Sequence, residues 1–296
     1  MKFDCVVIGG GPAGLTAAIY LGRFRRDVLV VDAGHSRALS IPTSHNYPGF
    51  ADGIAGADLL RVLREQAVQY GAQLRTGLVA ELASNGDAFT MDIDGETVTA
   101  PRVLLATGLQ DHAPDMPGLQ RAVAETAVRY CPVCDAYEAT DLAIAVHGAV
   151  KDAEAKALFM RTYSRNVTLV PDHDGIDAGA RTRLAEAGIA IAPSAASDIR
   201  PEDGGIGVEL RNGERLTFDV LYPVLGCEVY SGLATALGAR STEVGCVVVD
   251  DKQQTTVPGL YAAGDVVSDL HQLSVGAGHA AIAATAIHRS LPSNFR

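Results

Sequence analysis

Cys5-Val6-Val7-Ile8-Gly9-Gly10-Gly11-Pro12-Ala13-Gly14 is the stretch whose reading decides the fold. Its four leading apolar residues read as a short buried strand, which the glycines stop. Leu15 to Arg25, rich in Ala and Leu, reads as a helix. Asp27-Val28-Leu29-Val30-Val31 reads as a second buried strand, closed by Asp32. Strand, glycine turn, helix, strand and acid in that order is the arrangement of a dinucleotide-binding unit. Gly9, Gly11 and Gly14 fit G-x-G-x-x-G, with Pro12 and Ala13 completing the turn. Gly9 permits the tight turn, Gly11 lets a pyrophosphate reach the backbone, and Gly14 lets the helix lie against the strand. The helix start then offers free N–H groups and a positive dipole end to phosphates. Asp32 stands where an acid accepts from ribose hydroxyls.

Outward from this unit, residues 45–50 read as a loop and Gly56 to Tyr70 as an amphipathic helix. Val98 to Ala106 reads as one strand, running into Thr107 and Gly108. Pro114 to Gly118 is the best linker. A second strand–helix–strand unit follows, with strands at 142–146 and 166–170 and a helix at 153–163. Strand-like runs fill 207–226, another runs through 259–265 into Gly264-Asp265, and a final helix covers 272–290. The chain is therefore expected to be α/β, with two Rossmann-like three-layer domains. The first is discontinuous, at 1–114 and 243–296, and encloses the second at 115–242.

A chain of 296 residues suits two domains. Hydrophobic residues at 48% and charged residues at 20% are ordinary for a globular protein, which excludes a disordered chain. The 24 basic against 35 acidic residues leave a net charge of -11, the wrong sign for nucleic acid or an anionic membrane. No apolar run reaches the roughly 18 residues of a membrane span, and nothing at the start reads as a signal peptide. The cytoplasm is the expected location.

Five cysteines do not make a secreted disulfide framework. Cys5, Cys227 and Cys246 stand alone, whereas Cys131-Pro132-Val133-Cys134 is a close pair. Such a pair is a redox disulfide, half of a zinc site, or inert. Structural zinc needs four ligands. Cys227 and Cys246 form no second close pair, and His147 and His173 lack ligand spacing, so no metal site is expected. A thiolate nucleophile favoured by C-x-x-C geometry supports the redox reading.

In order and spacing, the N-terminal glycine motif, Asn46-Tyr47-Pro48-Gly49-Phe50, Ala106-Thr107-Gly108, Cys131-Pro132-Val133-Cys134-Asp135 and Ala262-Ala263-Gly264-Asp265 resemble the low-molecular-weight thioredoxin reductase family of flavoproteins. The resemblance covers nearly the whole chain. It implies an FAD domain interrupted by a smaller nucleotide-type domain carrying the cysteine pair. It also implies a homodimer and a thioredoxin-like protein or small dithiol as partner. By it, Asn46, Ala106, Thr107 and Gly108 belong to the FAD site. Gly264 and Asp265 would hold the ribityl and pyrophosphate region, and His271, Gln272 and Leu273 would touch the isoalloxazine ring. Cys134 would face the flavin, Cys131 the substrate, and Asp135 would exchange protons with the thiols. His271 stands where the family pattern has Arg.

The second nucleotide site departs from the family pattern. Its G-x-G-x-x-A falls on Gly148-Ala149-Val150-Lys151-Asp152-Ala153, so Val150 replaces the glycine nearest the pyrophosphate. Where NADPH-using relatives carry a His-Arg-Arg run, this chain has Pro171-Asp172-His173-Asp174. Two acids would repel a 2′-phosphate. NADPH is thus an unexpected donor, and a ferredoxin, a flavodoxin or a second flavin is expected in its place. The alternatives are a dithiol oxidase using oxygen, an NADPH-dependent thioredoxin reductase, and a non-enzymatic flavin redox sensor.

Overall fold

The computed structural model describes residues 1–267 and 270–295. Strand Cys5–Ile8 is central to a five-stranded parallel sheet. It lies between Val28–Asp32 and Arg102–Leu105, with Gln73–Thr76 and Leu260–Ala262 at the two edges. Side chains of a strand alternate between faces, and here both faces are covered. Cys5, Val7, Val28 and Val30 face a core shared with helices Pro12–Arg23, Gly56–Gln69 and Leu273–Ser290. Val6, Ile8, Leu29 and Val31 face the opposite core, under the antiparallel sheet Leu82–Ser84, Phe89–Ile93 and Glu96–Ala100. An apolar run without polar alternation is what such a doubly covered strand requires.

The second unit repeats the plan. Ile144–Gly148 lies between Val167–Pro171 and Val220–Val224 in a four-stranded parallel sheet, with Ala190–Ile191 at one edge. Helices Val150–Met160 and Ala178–Glu186 cover one face, and the antiparallel strands 196–202, 205–210 and 215–218 cover the other. The two units are joined by a ribbon in which Leu109–Asp111 pairs antiparallel with Cys227–Val229. Beyond that ribbon, Leu233, Ala234, Leu237 and Ala239 already belong to the first unit's core. We therefore propose that the return crossing lies at 227–231, ahead of the expected 243.

Three expected elements are redrawn. The strand expected over Val98–Ala106 is two strands, broken at Pro101. Glu96–Ala100 pairs with Phe89–Ile93, while Arg102–Leu105 turns to join Cys5–Ile8. Proline lacks the N–H that a continuous ladder would use. The first helix begins at Pro12 and ends at Arg23, because Arg25 takes a left-handed φ of 59°. The helix of the second unit runs Val150–Met160 rather than 153–163, so Val150 is its first residue. No helix among the described residues is long and apolar enough to cross a membrane.

Candidate active site

The glycine turn is built by backbone contact. Gly9 has φ 112°, and a Cβ there would lie 2.2 Å from the Ala106 carbonyl oxygen. A Cβ on Gly14 would lie 1.9 Å from the Gly9 carbonyl oxygen, so the protein itself demands both glycines. Gly11 is different. Its φ is an ordinary -78°, and its Cβ would meet only the Ser36 hydroxyl, at 3.3 Å. Nothing internal requires glycine at 11, and its open side faces a cavity. Gly11 also begins the helix with no side chain capping its free N–H groups. Those donors are the ones a phosphate takes.

That cavity measures about 720 Å³ and runs from the glycine turn and Asp32 to the cysteine pair. Every residue expected at the site lines it except Gly14, which lies beneath the turn. At one end, Asp32 accepts from the Gly34 N–H at 3.0 Å and from Arg64 at 2.8 Å. Midway, Arg37 grips Asp111 through two bonds of 2.6 and 3.0 Å and reaches Asp265 at 3.3 Å. It ties the inter-unit ribbon to the Gly264-Asp265 turn. Burial pushes the Asp265 carboxyl up, against the pull of Arg37 and His271.

At the far end Cys131 and Cys134 form a disulfide, with sulfurs 2.10 Å apart. Its turn is a single helical turn, Pro132–Asp135, following Cys131. Asp135 is held from two sides. Its carboxylate accepts from the Tyr222 hydroxyl at 2.8 Å, and its carbonyl accepts from Arg129 at 2.9 Å. Tyr222 is wholly buried in the second unit's core. Burial pushes the Asp135 carboxyl up to about 6, opposed by Tyr222 and Arg129 and aided by Glu138. A carboxyl titrating there can give and take protons near neutrality. Two histidines weighed as metal ligands are engaged elsewhere: His147 sits 3.0 Å from the Val170 carbonyl, and His173 contacts Asp172.

The raised Asp135 value sets a stability prediction. A carboxyl whose folded value lies above its ordinary 3.8 favours the native state at low pH, and that contribution is lost as pH rises through about 6. Asp135→Asn removes the titration. Its melting temperature is therefore expected to gain on the wild type between pH 4 and pH 8, and parallel melting curves across that range would refute the assignment.

The model of the pyridine nucleotide-disulphide oxidoreductase family matches residues 3–287. The chain belongs to that family. Among its relatives, thioredoxin reductase of Mycolicibacterium smegmatis is 30% identical, covering 95% of this chain and 94% of that one. The bifunctional thioredoxin reductase/thioredoxin of Mycobacterium leprae is 31% identical over 95% of this chain, which spans 64% of that protein. Among solved structures, the oxidoreductase from Agrobacterium tumefaciens is 31% identical with a TM-score of 0.87, covering 98% of each chain. Thioredoxin reductase from Streptococcus pyogenes superposes with a TM-score of 0.89 at 26% identity, over 97% of each chain.

This oxidoreductase is accordingly a thioredoxin reductase-like flavoprotein, and its family binds FAD. The residues present fit that group. One cavity is lined by the glycine turn, where a Cβ on Gly11 would intrude, by a ribose-type acid and by the disulfide, and uncapped helix N–H groups open onto the same turn, as a dinucleotide needs. When bound, FAD would supply two-electron redox chemistry.

The second glycine turn starts as the first does and then departs from it. Gly148, with φ 154°, is fixed by the Val224 carbonyl oxygen, 2.2 Å from a Cβ placed there. Val150 is buried in the second unit's core with Ala153 and Ala157. Asp174, beyond the neighbouring strand, binds the Ala195 N–H at 2.8 Å and the Ser194 hydroxyl at 3.2 Å. Arg211, which sequence reasoning passed over, lies 3.7 Å from Asp174 and brings a cation to this strand end.

Proposed function

We propose that this protein moves two electrons between FAD, the Cys131–Cys134 pair and an external thiol or disulfide. The observation that carries this is the disulfide's position at one end of the cavity whose other end is the glycine turn. Gly9, Gly11, Pro12, Ala13 and Asp32 hold the nucleotide end. Asn46, Ala106, Thr107, Gly108, Gly264, Asp265, His271, Gln272 and Leu273 hold the remainder. Cys134 exchanges electrons on the flavin side and Cys131 with the substrate. Asp135 manages the thiol protons. The external partner is a thioredoxin-like protein or a small dithiol, in keeping with the names of the Mycolicibacterium and Mycobacterium relatives.

The electron donor is a ferredoxin- or flavodoxin-type protein or a second flavin, and not NADPH. Val150 supports this half of the reading. It stands where the family's glycine would be, its side chain is turned into the core and a glycine's open backbone is missing there, with Asp152 exposed two residues on. Asp172 and Asp174 lie at the strand end where a 2′-phosphate would be sought, with Arg211 beside Asp174 as a partial counter-charge.

Anaerobic mixing tests the donor. NADPH and NADH are each expected to leave the flavin absorbance unchanged, while reduced ferredoxin or a dithiol bleaches it. Val150→Gly with Asp172→Arg is expected to confer measurable bleaching by NADPH. Rapid bleaching of the wild type by NADPH would make this a pyridine-nucleotide reductase. Bleaching by dithiols with hydrogen peroxide formed in air would make it an oxidase.

A further inference from the structure

Two linked side-chain amides stand beside the disulfide, one of them touching both sulfurs, and their orientation is fixed by a group that cannot be turned round. The Val133 backbone carbonyl, between the two cysteines, can only accept. It takes a hydrogen bond from Asn46 Nδ2 at 3.2 Å. That places Asn46 Oδ1 on the other side, where the hydroxyl of buried Ser44 donates to it at 3.2 Å. Asn46 Nδ2 spends its second hydrogen on Gln272 Oε1, at 2.9 Å. With its oxygen so engaged, Gln272 must present Nε2 to the opposite side. There it lies 3.3 Å from the sulfur of Cys131 and 3.3 Å from that of Cys134. An amide nitrogen has two hydrogens, one for each sulfur. Reversing either amide would set oxygen against oxygen or N–H against N–H.

A disulfide sulfur is a poor acceptor, and a thiolate is a good one. Two N–H groups aimed at a closed disulfide therefore gain most when the S–S bond breaks. Two electrons and one proton convert the pair into one thiol and one thiolate. The electrons are those exchanged with the flavin in the reaction proposed above. The proton stays on one sulfur, and the charge falls on the other. Since Nε2 is equidistant from both, it serves whichever sulfur carries the charge, in either direction of electron flow.

We propose that Gln272 is the donor that stabilises the thiolate when the Cys131–Cys134 bond opens, and that Asn46 is the positioning residue that aims it. The assignment extends Gln272 from flavin contact to the reacting sulfurs. It rests on Cys131–Cys134 being the redox pair, but its test does not depend on any donor or substrate.

The test is the pH midpoint for alkylation of the reduced pair, followed by mass spectrometry on the flavin-loaded protein. Gln272→Leu is expected to raise the lower midpoint by about one unit, the shift for one lost charge-assisted bond. Gln272→Glu, of the same shape but without the donor, is expected to raise it further. Asn46→Leu is expected to raise it by less than Gln272→Leu. Asp135, Glu138, Arg129, Tyr130, His45 and His271 also line this part of the cavity. All are unchanged in the three variants, so the difference isolates the amides. A Gln272→Glu midpoint equal to the wild type's would reduce the contact to packing and overturn the proposal. A variant that loses flavin is compared with wild type stripped of flavin, and equal midpoints there also overturn it. Unreactive cysteines in every variant would instead count against the redox reading itself.

Discussion

Cys134→Ser is expected to yield a yellow protein that turns over no disulfide. The substitution removes one sulfur at the end of the cavity and leaves the glycine turn, Asp32 and the Gly264-Asp265 turn intact. Flavin retention should therefore match the wild type. Electron exchange should not, because a serine hydroxyl neither forms a disulfide nor ionises near neutral pH. The remaining Cys131 thiolate can still attack a partner disulfide, displacing one partner thiolate and forming a mixed disulfide. Cys134 is no longer there to resolve it, and the displaced partner thiolate can only reverse the step. With a partner whose second cysteine is replaced by serine and whose first is activated as a mixed disulfide with thionitrobenzoate, a lasting covalent adduct is thus expected for Cys134→Ser and not for Cys131→Ser. Colourless Cys134→Ser protein would show that the cysteines help to hold the cofactor. Adduct formation by Cys131→Ser instead would reverse the two roles.

The second large effect belongs to Gly14. Its Cβ would fall 1.9 Å from a carbonyl oxygen and 3.2 Å from the Ala106 side chain, and neither can rotate away. Gly14→Val forces helix Pro12–Arg23 off the central strand. Overpacking of this kind costs about 1–3 kcal/mol or more, and here it also moves the phosphate cradle. Gly14→Val is expected to be colourless and to melt several degrees below the wild type stripped of FAD. Gly11→Ala provides the contrast. Its added methyl meets only a serine hydroxyl at 3.3 Å, so the fold should melt as before while FAD affinity falls. If both variants lost stability equally, Gly11 would be structural and the cradle argument would fail.

These contrasts show where sequence was informative. Gly9 and Gly14 belong to one short fixed spacing, and that spacing exposes them, although the atom Gly9 must avoid is on the distant Ala106. Strand Cys5–Ile8 announces itself because both of its faces are buried. The contacts that were not legible join distant segments. Gln272 meets Cys131 across 141 positions, Arg37 meets Asp265 across 228, and Tyr222 meets Asp135 across 87. Nothing local marks Tyr222 as the partner of a buried carboxyl, since it sits in an apolar strand and faces the core. Helix Val150–Met160 was misplaced for a related reason. Val150 has the burial of a core residue, and only the folded turn shows it as the helix's first residue.

The strand order of the first sheet also governs the sequence of events during synthesis. Leu260–Ala262 is its last strand to be made and pairs with Arg102–Leu105, more than half a chain earlier. Helix Leu273–Ser290, which covers helix Pro12–Arg23, follows later still. The inserted unit has all four of its parallel strands by residue 224. At roughly 5–20 residues per second, it is complete on the ribosome seconds before the outer unit can close. Until then the glycine turn lacks its covering helix, and Gln272 does not yet exist to meet the cysteines. Flavin capture consequently waits for the chain's last strand and helix, and a chain truncated before residue 260 would carry the cysteine pair but lack Gly264, Asp265 and Gln272 of the cavity.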